Sequence, residues 1–459
     1  MVIYKKVADI FNSGIIAQEN GQIVIQDQSQ FNDIMIDDLA TTIAKSDDPN
    51  MKKICYWIAH QAAISRGVVS SSIQGLYSAM GQKKIGGFTV PAINIRTLTY
   101  DVARAVFRCV KKINAGAFIF EIATSEIAYT QQCPMEYTSA ILLAALKENY
   151  RGPIFILGDH FQVKVNKYLK NSETEIKLLR TLIDDAIDAG FYNIDIDAST
   201  LVDLSEENVD IQQELNCEVS ALFTKHIRSV QPEGIEISIG AEIGEVGERN
   251  STSSDLKAFM ERYMVSTSSL KGLSKMSIQT GTSHGGVVLP DGSIAKVKID
   301  FDTLRRLSEI CRSNYALAGC VQHGASTLPN EAFHTFPQVG CAEIHLATQF
   351  QNIIYEHMPI SLKGRIYDWL KENCANERKP GQTDDQFIYK TRKKALGPFK
   401  KEIFSLPQDL KDKISTVLEG EFDFMFSQLQ ISDTREIVDK YTDVVAVKHN
   451  KEHFLKDKE

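Results

Sequence analysis

Three of the ten histidines stand beside an acid or a glycine at the end of a short apolar run. His160 follows an aspartate, and His284 and His323 each precede a glycine. Neutral imidazoles together with a carboxylate are suited to Zn²⁺, and three protein ligands with one open position make a catalytic rather than a structural site. Any one of these histidines alone could be a satisfied residue at a strand end. Three of them on one rim favour a metal site.

The segment before His160 indicates where this rim lies. Pro153 to Leu157 is a continuous apolar run, which is typical of a strand buried on both faces. Adjacent side chains on a strand point to opposite sides, so Asp159 and His160 can share one site only where the strand ends and the chain turns. An acid and a histidine at the carboxyl end of a buried parallel strand are typical of a (β/α)8 barrel. The alternative is that Asp159 only caps the next segment.

Short apolar strands alternate with helical patterns along the middle of the chain, as expected for repeated βα units. The predicted strands are 88–95, 117–123, 153–157, 193–197, 235–241, 275–279, 316–321 and 342–347. The predicted helices are 100–113, 135–150, 173–189, 209–230, 254–264, 301–313, 331–336 and one from about residue 350. Eight units predict an α/β protein with a closed (β/α)8 TIM barrel. A doubly wound open sheet is the alternative, but the chain has no Gly-rich dinucleotide fingerprint.

The sequence predicts three parts: a helical amino-terminal extension (1–85), the barrel (86–355) and a helical carboxyl-terminal extension (356–459). The stretches 70–72 and 81–87 are predicted connectors, and 373–385 a loop. A compact basic run at 390–394 is typical of a solvated helix face, with anion binding as the alternative.

Composition limits the classes of partner. The hydrophobic share of 43% and the charged share of 24% are ordinary for a globular protein. A net charge of −8 argues against nucleic acid or an anionic membrane as the main partner. Charges interrupt the first apolar residues, and no run of eighteen apolar residues occurs, so neither a signal peptide nor a membrane span is expected. Eight scattered cysteines without a CxxC pair predict reduced thiols and a cytoplasmic location.

Small residues beside the histidines suggest a binding site for an anion. Gly285-Gly286 and the stretch Gly324 to Thr327 let backbone N–H groups approach a phosphate, which barrels commonly bind at this end. The alternative is that these glycines merely permit tight turns.

Six motifs follow one another between residues 86 and 355: Val90-Pro-Ala-Ile-Asn94, Gly158-Asp-His160, Ala241-Glu-Ile-Gly244, Gly281-Thr-Ser-His-Gly285, His323-Gly-Ala-Ser326 and Ala347-Thr348. In order and spacing they resemble the class II, zinc-dependent fructose-bisphosphate aldolases. The stretch Ile119 to Ser125 also resembles the non-catalytic subunit of tagatose-bisphosphate aldolase.

The resemblance implies roles for individual residues. The implied zinc ligands are His160, Glu242, His284 and His323. Asp159 would be the acid/base for the C4 hydroxyl, and the proton of the three-carbon half would be shuttled by Glu248, with Glu245 in reserve. The implied substrate and phosphate contacts are Asn94, Gly285, Gly324, Ser326, His345 and Thr348.

The resemblance implies reversible cleavage of fructose 1,6-bisphosphate to dihydroxyacetone phosphate and glyceraldehyde 3-phosphate, through a zinc-stabilised enediolate, in glycolysis and gluconeogenesis. Zn²⁺ would act as a Lewis acid, with another divalent metal or an additional monovalent cation as further options. The partner would be a phosphorylated sugar, and the chain a homodimer or larger homo-oligomer. A Schiff-base mechanism is rejected, because Lys275 stands at the wrong end of its strand. The alternatives are an aldolase for another ketose phosphate such as tagatose 1,6-bisphosphate, a non-catalytic aldolase subunit and, last, a metal-dependent hydrolase.

Several positions depart from the family pattern and put specificity in doubt more than chemistry. His345 stands where an asparagine is usual, and we expect it to act as a neutral hydrogen-bond donor. The remaining departures are Ala123, Phe161, Ala325 and Gln349.

Overall fold

The computed structural model describes residues 2–244, 249–281 and 299–456. Its strands are β1 (Ile16–Glu19), β2 (Gln22–Ile25), β3 (Val68–Ser71), β4 (Val90–Asn94), β5 (Ile119–Ala123), β6 (Gly152–Gln162), β7 (Asn193–Asp197), β8 (Ser238–Glu242), β9 (Lys275–Ile278), β10 (Cys320–Gln322) and β11 (Glu343–Leu346). From β4 to β11 each strand pairs in parallel with the next, and β11 pairs with β4. This closed eight-stranded barrel confirms the predicted TIM barrel.

Helices surround the barrel and build most of both terminal segments. The first eleven are α1 (Val7–Phe11), α2 (Gln28–Gln30), α3 (Ile36–Lys45), α4 (Pro49–Ser65), α5 (Gln74–Gly81), α6 (Thr99–Lys112), α7 (Thr124–Thr130), α8 (Pro134–Lys147), α9 (Val165–Lys170), α10 (Ser172–Asp188) and α11 (Val209–Gln212). The others are α12 (Glu214–Val230), α13 (Ser253–Ser266), α14 (Phe301–Tyr315), α15 (Thr335–Gln338), α16 (Thr348–His357), α17 (Ile360–Asn373), α18 (Asp384–Thr391), α19 (Lys400–Phe404), α20 (Gln408–Gln428), α21 (Arg435–Tyr441) and α22 (Lys451–Leu455). Within the described ranges, none is long and apolar enough to cross a bilayer.

Local sequence explains where these helices begin. Pro134 is the first residue of α8, where its missing N–H costs nothing. Three other helices, α4, α10 and α13, begin with a side chain that accepts backbone N–H groups, namely Asp48, Asn171 and Thr252. The predicted helix 209–230 is two helices, α11 and α12, and the predicted helix 331–336 gives way to short turns before α15.

The amino-terminal segment contains strands that the sequence prediction did not include. β1 and β2 form an antiparallel hairpin, and β3 pairs in parallel with the first half of β6, from Gly152 to Phe155. The second half of β6 pairs with β7 instead. The side chain of Asn193 joins all three strands at this fork, because its Nδ2 donates to Ser71 O (3.2 Å) and Ile156 O (3.0 Å).

The carboxyl-terminal segment packs on the barrel helices. Arg108 of α6 donates through Nε to Glu419 of α20 (2.9 Å), and Phe350 and Phe422 pack with ring centroids 4.9 Å apart. Thr434 Oγ1 accepts the backbone N–H groups of Gly116 and Ala117, just before β5. Apolar side chains of both terminal segments therefore share one continuous core with the barrel.

Charged side chains, instead of an apolar layer, fill the amino-terminal end of the barrel interior. Lys275 Nζ lies 2.9 Å from Asp195 Oδ2 and donates to Glu343, and the Tyr77 hydroxyl donates to Glu343 as well. All four side chains are buried. Gly240 makes room for them, since a Cβ there would lie 2.3 Å from Asp195 Oδ1. We call Lys275, Asp195 and Glu343 the interior ion-pair cluster.

The cluster fixes the charge of its members. Burial opposes a charged lysine, but Asp195 and Glu343 outweigh it and raise the pKa of Lys275. Burial likewise opposes a charged Glu343, yet Lys275 and His345 lower its pKa to about 2. A lysine held as a cation at the amino-terminal end of the barrel cannot be a Schiff-base nucleophile, which agrees with the rejection of that mechanism.

Removing the cation should destabilise the barrel. Lys275→Met removes the buried cation that Asp195 and Glu343 share, and removing one partner of a buried ion pair typically costs about 3–5 kcal/mol. We expect urea denaturation, followed by tryptophan fluorescence, to show a loss of this size. The exposed Lys271→Met is the matched control and should stay within about 0.5 kcal/mol of the wild type. Equal stability of the two variants would contradict the role of the cluster.

The stability contributed by Glu343 should depend on pH. Its pKa is lowered from about 4.5 to about 2 on folding, so the contribution is complete above pH 4.5 and is lost as pH falls towards 2. A shift of this size corresponds to about 3 kcal/mol. We therefore expect the difference in free energy of unfolding between wild type and Glu343→Gln to shrink between pH 5 and pH 3. A difference that stays constant over this range would show that Glu343 is not ionised in the folded chain.

Candidate active site at the mouth of the barrel

An irregularity in β6 brings Asp159 and His160 to the same side. The pairing of β6 with β7 shifts register between Gly158 and Phe161, which is a β-bulge, and His160 has a φ of +42°. Gly158 permits the bulge, because a Cβ there would lie 2.5 Å from the Phe161 ring. The sequence predicted that the strand ends before His160; the strand instead runs to Gln162, and the bulge supplies the change of direction.

Three imidazoles form a column at the mouth of the barrel. The rings of His160 and His323 lie 4.3 Å apart between centroids, and those of His323 and His345 lie 4.2 Å apart. Asp159 Oδ1 faces all three, at 3.8 Å from His160 Nε2, 3.5 Å from His323 Nε2 and 3.3 Å from His345 Nδ1. The structure thus brings together two of the three histidines noted from sequence, with His345 as a third.

This environment keeps Asp159 ionised. Burial opposes its charge, but His160 and His345 outweigh that effect and hold the pKa of Asp159 well below its usual range. Burial, together with His345 and His160, lowers the pKa of His323 well below its usual value, so its ring is neutral. An ionised carboxylate beside a neutral imidazole is a suitable pair for proton transfer and for binding a cation.

Two further carboxylates surround His160. Its Nδ1 lies 2.9 Å from Asp197 Oδ2 and 3.3 Å from Glu242 Oε2. Burial and the neighbouring Asp197 raise the pKa of Glu242 to about 7, although His160 opposes this effect. Asp197 is held in place by Gln162 Nε2, which donates to it at 2.7 Å.

The donor set fits a divalent metal ion. Ligand atoms of Asp159, His160 and His323 lie within 4.8 Å of one another, and so do those of His160, Asp197 and Glu242. Two imidazoles with an excess of buried carboxylates give the charge and the donor types that Zn²⁺ and related ions bind. Glu242 is a further buried oxygen donor, and its Oε2 lies 3.3 Å from His160 Nδ1, so a cation bound beside His160 would be stabilised by it.

His345, expected from sequence to be a hydrogen-bond donor, lies between two buried acidic side chains. Its Nδ1 lies 2.7 Å from Glu121 Oε2, and its Nε2 lies 2.7 Å from Glu343 Oε1. Burial opposes protonation, but Glu121 and Asp159 outweigh it and raise the pKa of His345 well above its usual value. His345 therefore links Asp159 at the mouth to the interior ion-pair cluster below.

Asn94 ends β4 at the rim and is oriented by a buried ion pair. Its Nδ2 donates to Glu126 Oε2 (2.7 Å), and Glu126 also pairs with Arg96 Nε (2.7 Å). The Oδ1 atom of Asn94 is buried and has no hydrogen-bond partner among the described residues. A hydroxyl group of a ligand could donate to it.

A cavity of about 370 Å³ opens above these residues. Gly324, Ser326 and Thr348 line one side, and Ser326 Oγ accepts the Ala347 N–H at 2.6 Å. Two lysines, Lys164 and Lys393, line other parts of its wall. The predicted small-residue loop after β10 and the basic run of the carboxyl-terminal segment therefore meet at one cavity.

Four residues predicted from sequence, His284, Gly285, Glu245 and Glu248, lie outside the described residues. Several groups described above were missed: Glu121, Glu126, Asp195, Asp197 and Glu343. Four of them carried a signal, because the carboxylates of β5, β7 and β11 alternate with or interrupt apolar residues of a strand, whereas Glu126 lies on α7.

The chain is similar to solved structures at low sequence identity. No curated protein sequence matches the chain significantly. Among solved structures, a fructuronate-tagaturonate epimerase from Cohnella laeviribosi has a TM-score of 0.55 at 13% identity, covering 76% of this chain and 82% of the other. A probable tagatose 6-phosphate kinase from Sinorhizobium meliloti has a TM-score of 0.52 at 14% identity, covering 77% and 99%. At these identities the two structures support the barrel fold alone.

A third structure, a fructose-bisphosphate aldolase from Campylobacter jejuni, has a TM-score of 0.49 at 15% identity and covers 81% of this chain and 99% of the other. The sequence model of the family described as fructose-bisphosphate aldolase class-II matches residues 76–405, well over half of the chain. The protein therefore belongs to the class II fructose-bisphosphate aldolase family and is a carbon–carbon lyase of the aldolase type.

Proposed function

We propose that this aldolase reversibly cleaves fructose 1,6-bisphosphate to dihydroxyacetone phosphate and glyceraldehyde 3-phosphate. The observation that carries the proposal is the position of Asp159, an ionised carboxylate facing three imidazoles at the floor of a cavity of about 370 Å³. Phosphorylated sugars are the substrates of the family to which the chain belongs.

A zinc ion would be held by His160, His323 and Glu242, with His284 as the further ligand that the family resemblance implies. When bound, this ion supplies a Lewis acid for the negative charge that develops on the ketose carbonyl oxygen during cleavage. The carboxylates Asp159 and Asp197 would balance the charge of the ion and orient the His160 ring.

Asp159 would act as the acid/base. Its low pKa makes it a carboxylate at neutral pH, so it can accept the proton of the C4 hydroxyl as the C3–C4 bond breaks. In the condensation direction the same group returns that proton to the aldehyde oxygen. Glu248 is the proposed shuttle for the proton of the three-carbon half, with Glu245 as the second choice.

The remaining contacts would bind the sugar and its phosphates. The free Oδ1 of Asn94 suits a sugar hydroxyl, and Gly324, Ser326 and Thr348 at the cavity wall suit one phosphate. The family resemblance adds Gly285 to these phosphate contacts. Lys393 suits the distal phosphate, because no carboxylate of the described residues lies within ion-pair distance and its Nζ sits over the Tyr129 ring at 5.8 Å.

A second substrate, tagatose 1,6-bisphosphate, is favoured by one observation. His345, which stands where the family usually has an asparagine, lines the cavity together with its partner Glu121. An imidazole paired with a buried carboxyl group offers the sugar a donor and an acceptor in a different arrangement from an asparagine amide, and specificity follows such contacts.

The cell context is part of the same proposal. All eight cysteines are free, as expected of a protein kept in the reducing cytoplasm. We propose that the enzyme works there as a homodimer or larger homo-oligomer in glycolysis and gluconeogenesis.

Substituting the proposed acid/base should abolish turnover without loss of metal. Asp159→Asn keeps the shape of the side chain but removes its basicity, so kcat should fall by roughly 10²–10⁴-fold. The measurement is a coupled assay of triose phosphate release, with zinc content determined on the same sample. The exposed Asp203→Asn is the control and should keep wild-type activity.

The same assay separates the alternatives. Chelator should abolish the wild-type activity, added zinc should restore it, and His323→Ala should be inactive. Activity on tagatose 1,6-bisphosphate without activity on fructose 1,6-bisphosphate would identify tagatose 1,6-bisphosphate as the substrate. A purified chain that neither holds zinc nor cleaves either sugar would favour a non-catalytic partner subunit.

Lys393 provides a test of phosphate binding. Lys393→Met removes the cation but keeps most of the side-chain volume, so KM should rise about 10–100-fold with a smaller change in kcat. Lys390→Met lies in the same basic run, is exposed, and should leave both constants unchanged. Equal KM values for the two variants would rule out Lys393 as the distal phosphate contact.

A further inference from the structure

The carboxyl-terminal tail places two histidines against the end of a barrel helix. His453 lies on α22, His449 precedes that helix, and Asp188 is the last residue of α10. One ligand atom from each lies within 4.8 Å of the other two, and His453 Nε2 is 2.7 Å from Asp188 Oδ1. The two imidazole rings stack with centroids 3.8 Å apart and an interplanar angle of 10°.

A third imidazole borders the same group. His60 of α4 packs edge-to-face on Phe454 at 5.4 Å, and His453 and His449 lie 5.6 Å and 6.2 Å from that ring. The Nε2 atom of His60 is buried and has no hydrogen-bond partner among the described residues. Three imidazoles thus surround one phenylalanine, beside a carboxylate.

A cation would stabilise the Asp188 carboxylate at its position in the fold. The carboxyl end of a helix carries partial negative charge, so a carboxylate there is destabilised unless a positive group lies close. Asp188 is also mostly buried, with 20% of its side chain exposed, and screening by water is therefore reduced. A divalent ion would neutralise the carboxylate and the helix end together.

The tail is fixed to the barrel by contacts that would form the site in advance. Gln61 Nε2 donates to the carbonyl of His449 at 3.0 Å, and Lys53 Nζ donates to the carbonyl of Lys456 at 3.2 Å. Phe454 is 7% exposed. The ligands are therefore already ordered, and binding would not have to overcome the entropy of ordering the tail.

We propose that Asp188, His449 and His453 form a second metal site, the tail site, for a divalent transition ion such as Zn²⁺. Two imidazoles with one carboxylate are a donor set for Zn²⁺. The tail site lies at the opposite end of the barrel from the active site, because Asp188 precedes the first residue of β7 and the active site lies at the strands' carboxyl ends. An ion there would clamp the tail onto α4 and α10.

Metal stoichiometry tests the tail site directly. Protein without an affinity tag is stripped with chelator and titrated with Zn²⁺ against a chromogenic competitor. His449→Gln combined with His453→Gln should bind one equivalent fewer than wild type and keep wild-type aldolase activity. His323→Ala removes an active-site ligand and should keep the tail equivalent, so failure of the proposed catalytic metal and failure of the tail site give different results.

Hydrogen exchange of residues 442–456 provides a second readout. At a free zinc concentration of 100 times Kd, opening of the tail should slow by roughly 100-fold in wild type and in His323→Ala, and not in the double variant. Mg²⁺, which prefers oxygen ligands, should give no protection. Equal equivalents in wild type and double variant, or tail exchange that zinc does not alter, would overturn the proposal.

Discussion

The barrel depends on the neutralisation of charge in its interior. Lys275, Asp195 and Glu343 lie where most barrels carry branched apolar side chains, and each is stable there only because the others are present. His345 extends this arrangement upwards, since it shares β11 with Glu343 and points to the same side of the strand two residues later. The carboxylate of Asp159 is thus held by a continuous series of charges that begins at the opposite end of the barrel.

The active site adds local backbone strain to this electrostatic constraint. A non-glycine residue at a φ of +42° costs about 1–3 kcal/mol and persists only when its surroundings fix it. For His160 those surroundings are Asp197, which holds the ring, and Thr124, whose hydroxyl donates to the His160 carbonyl at 2.9 Å. The bulge in β6 is the reason that two adjacent residues serve one site.

The sequence predicted the barrel because alternating apolar strands and amphipathic helices leave a clear pattern, and β7 has its predicted bounds. It also identified Asp159, His160 and His323, since each follows an apolar run. Three features could not be predicted from the local sequence, because each depends on residues far away in the chain or on packing. The raised pKa of His345 depends on Glu121 and Asp159, the bulge depends on the packing of Phe161, and β3 depends on a partner some 80 residues later in the chain.

The fork at Asn193 gives the amino-terminal segment a protective role. Without β3, the first half of β6 would expose backbone N–H and C=O groups on one side, and such an edge is a template for pairing with another chain. The run from Pro153 to Phe155 is also apolar, which makes an open edge there more prone to aggregation. In solubility terms, β3 is an edge cover, and the same chain with β3 displaced would present an unpaired strand edge to other chains.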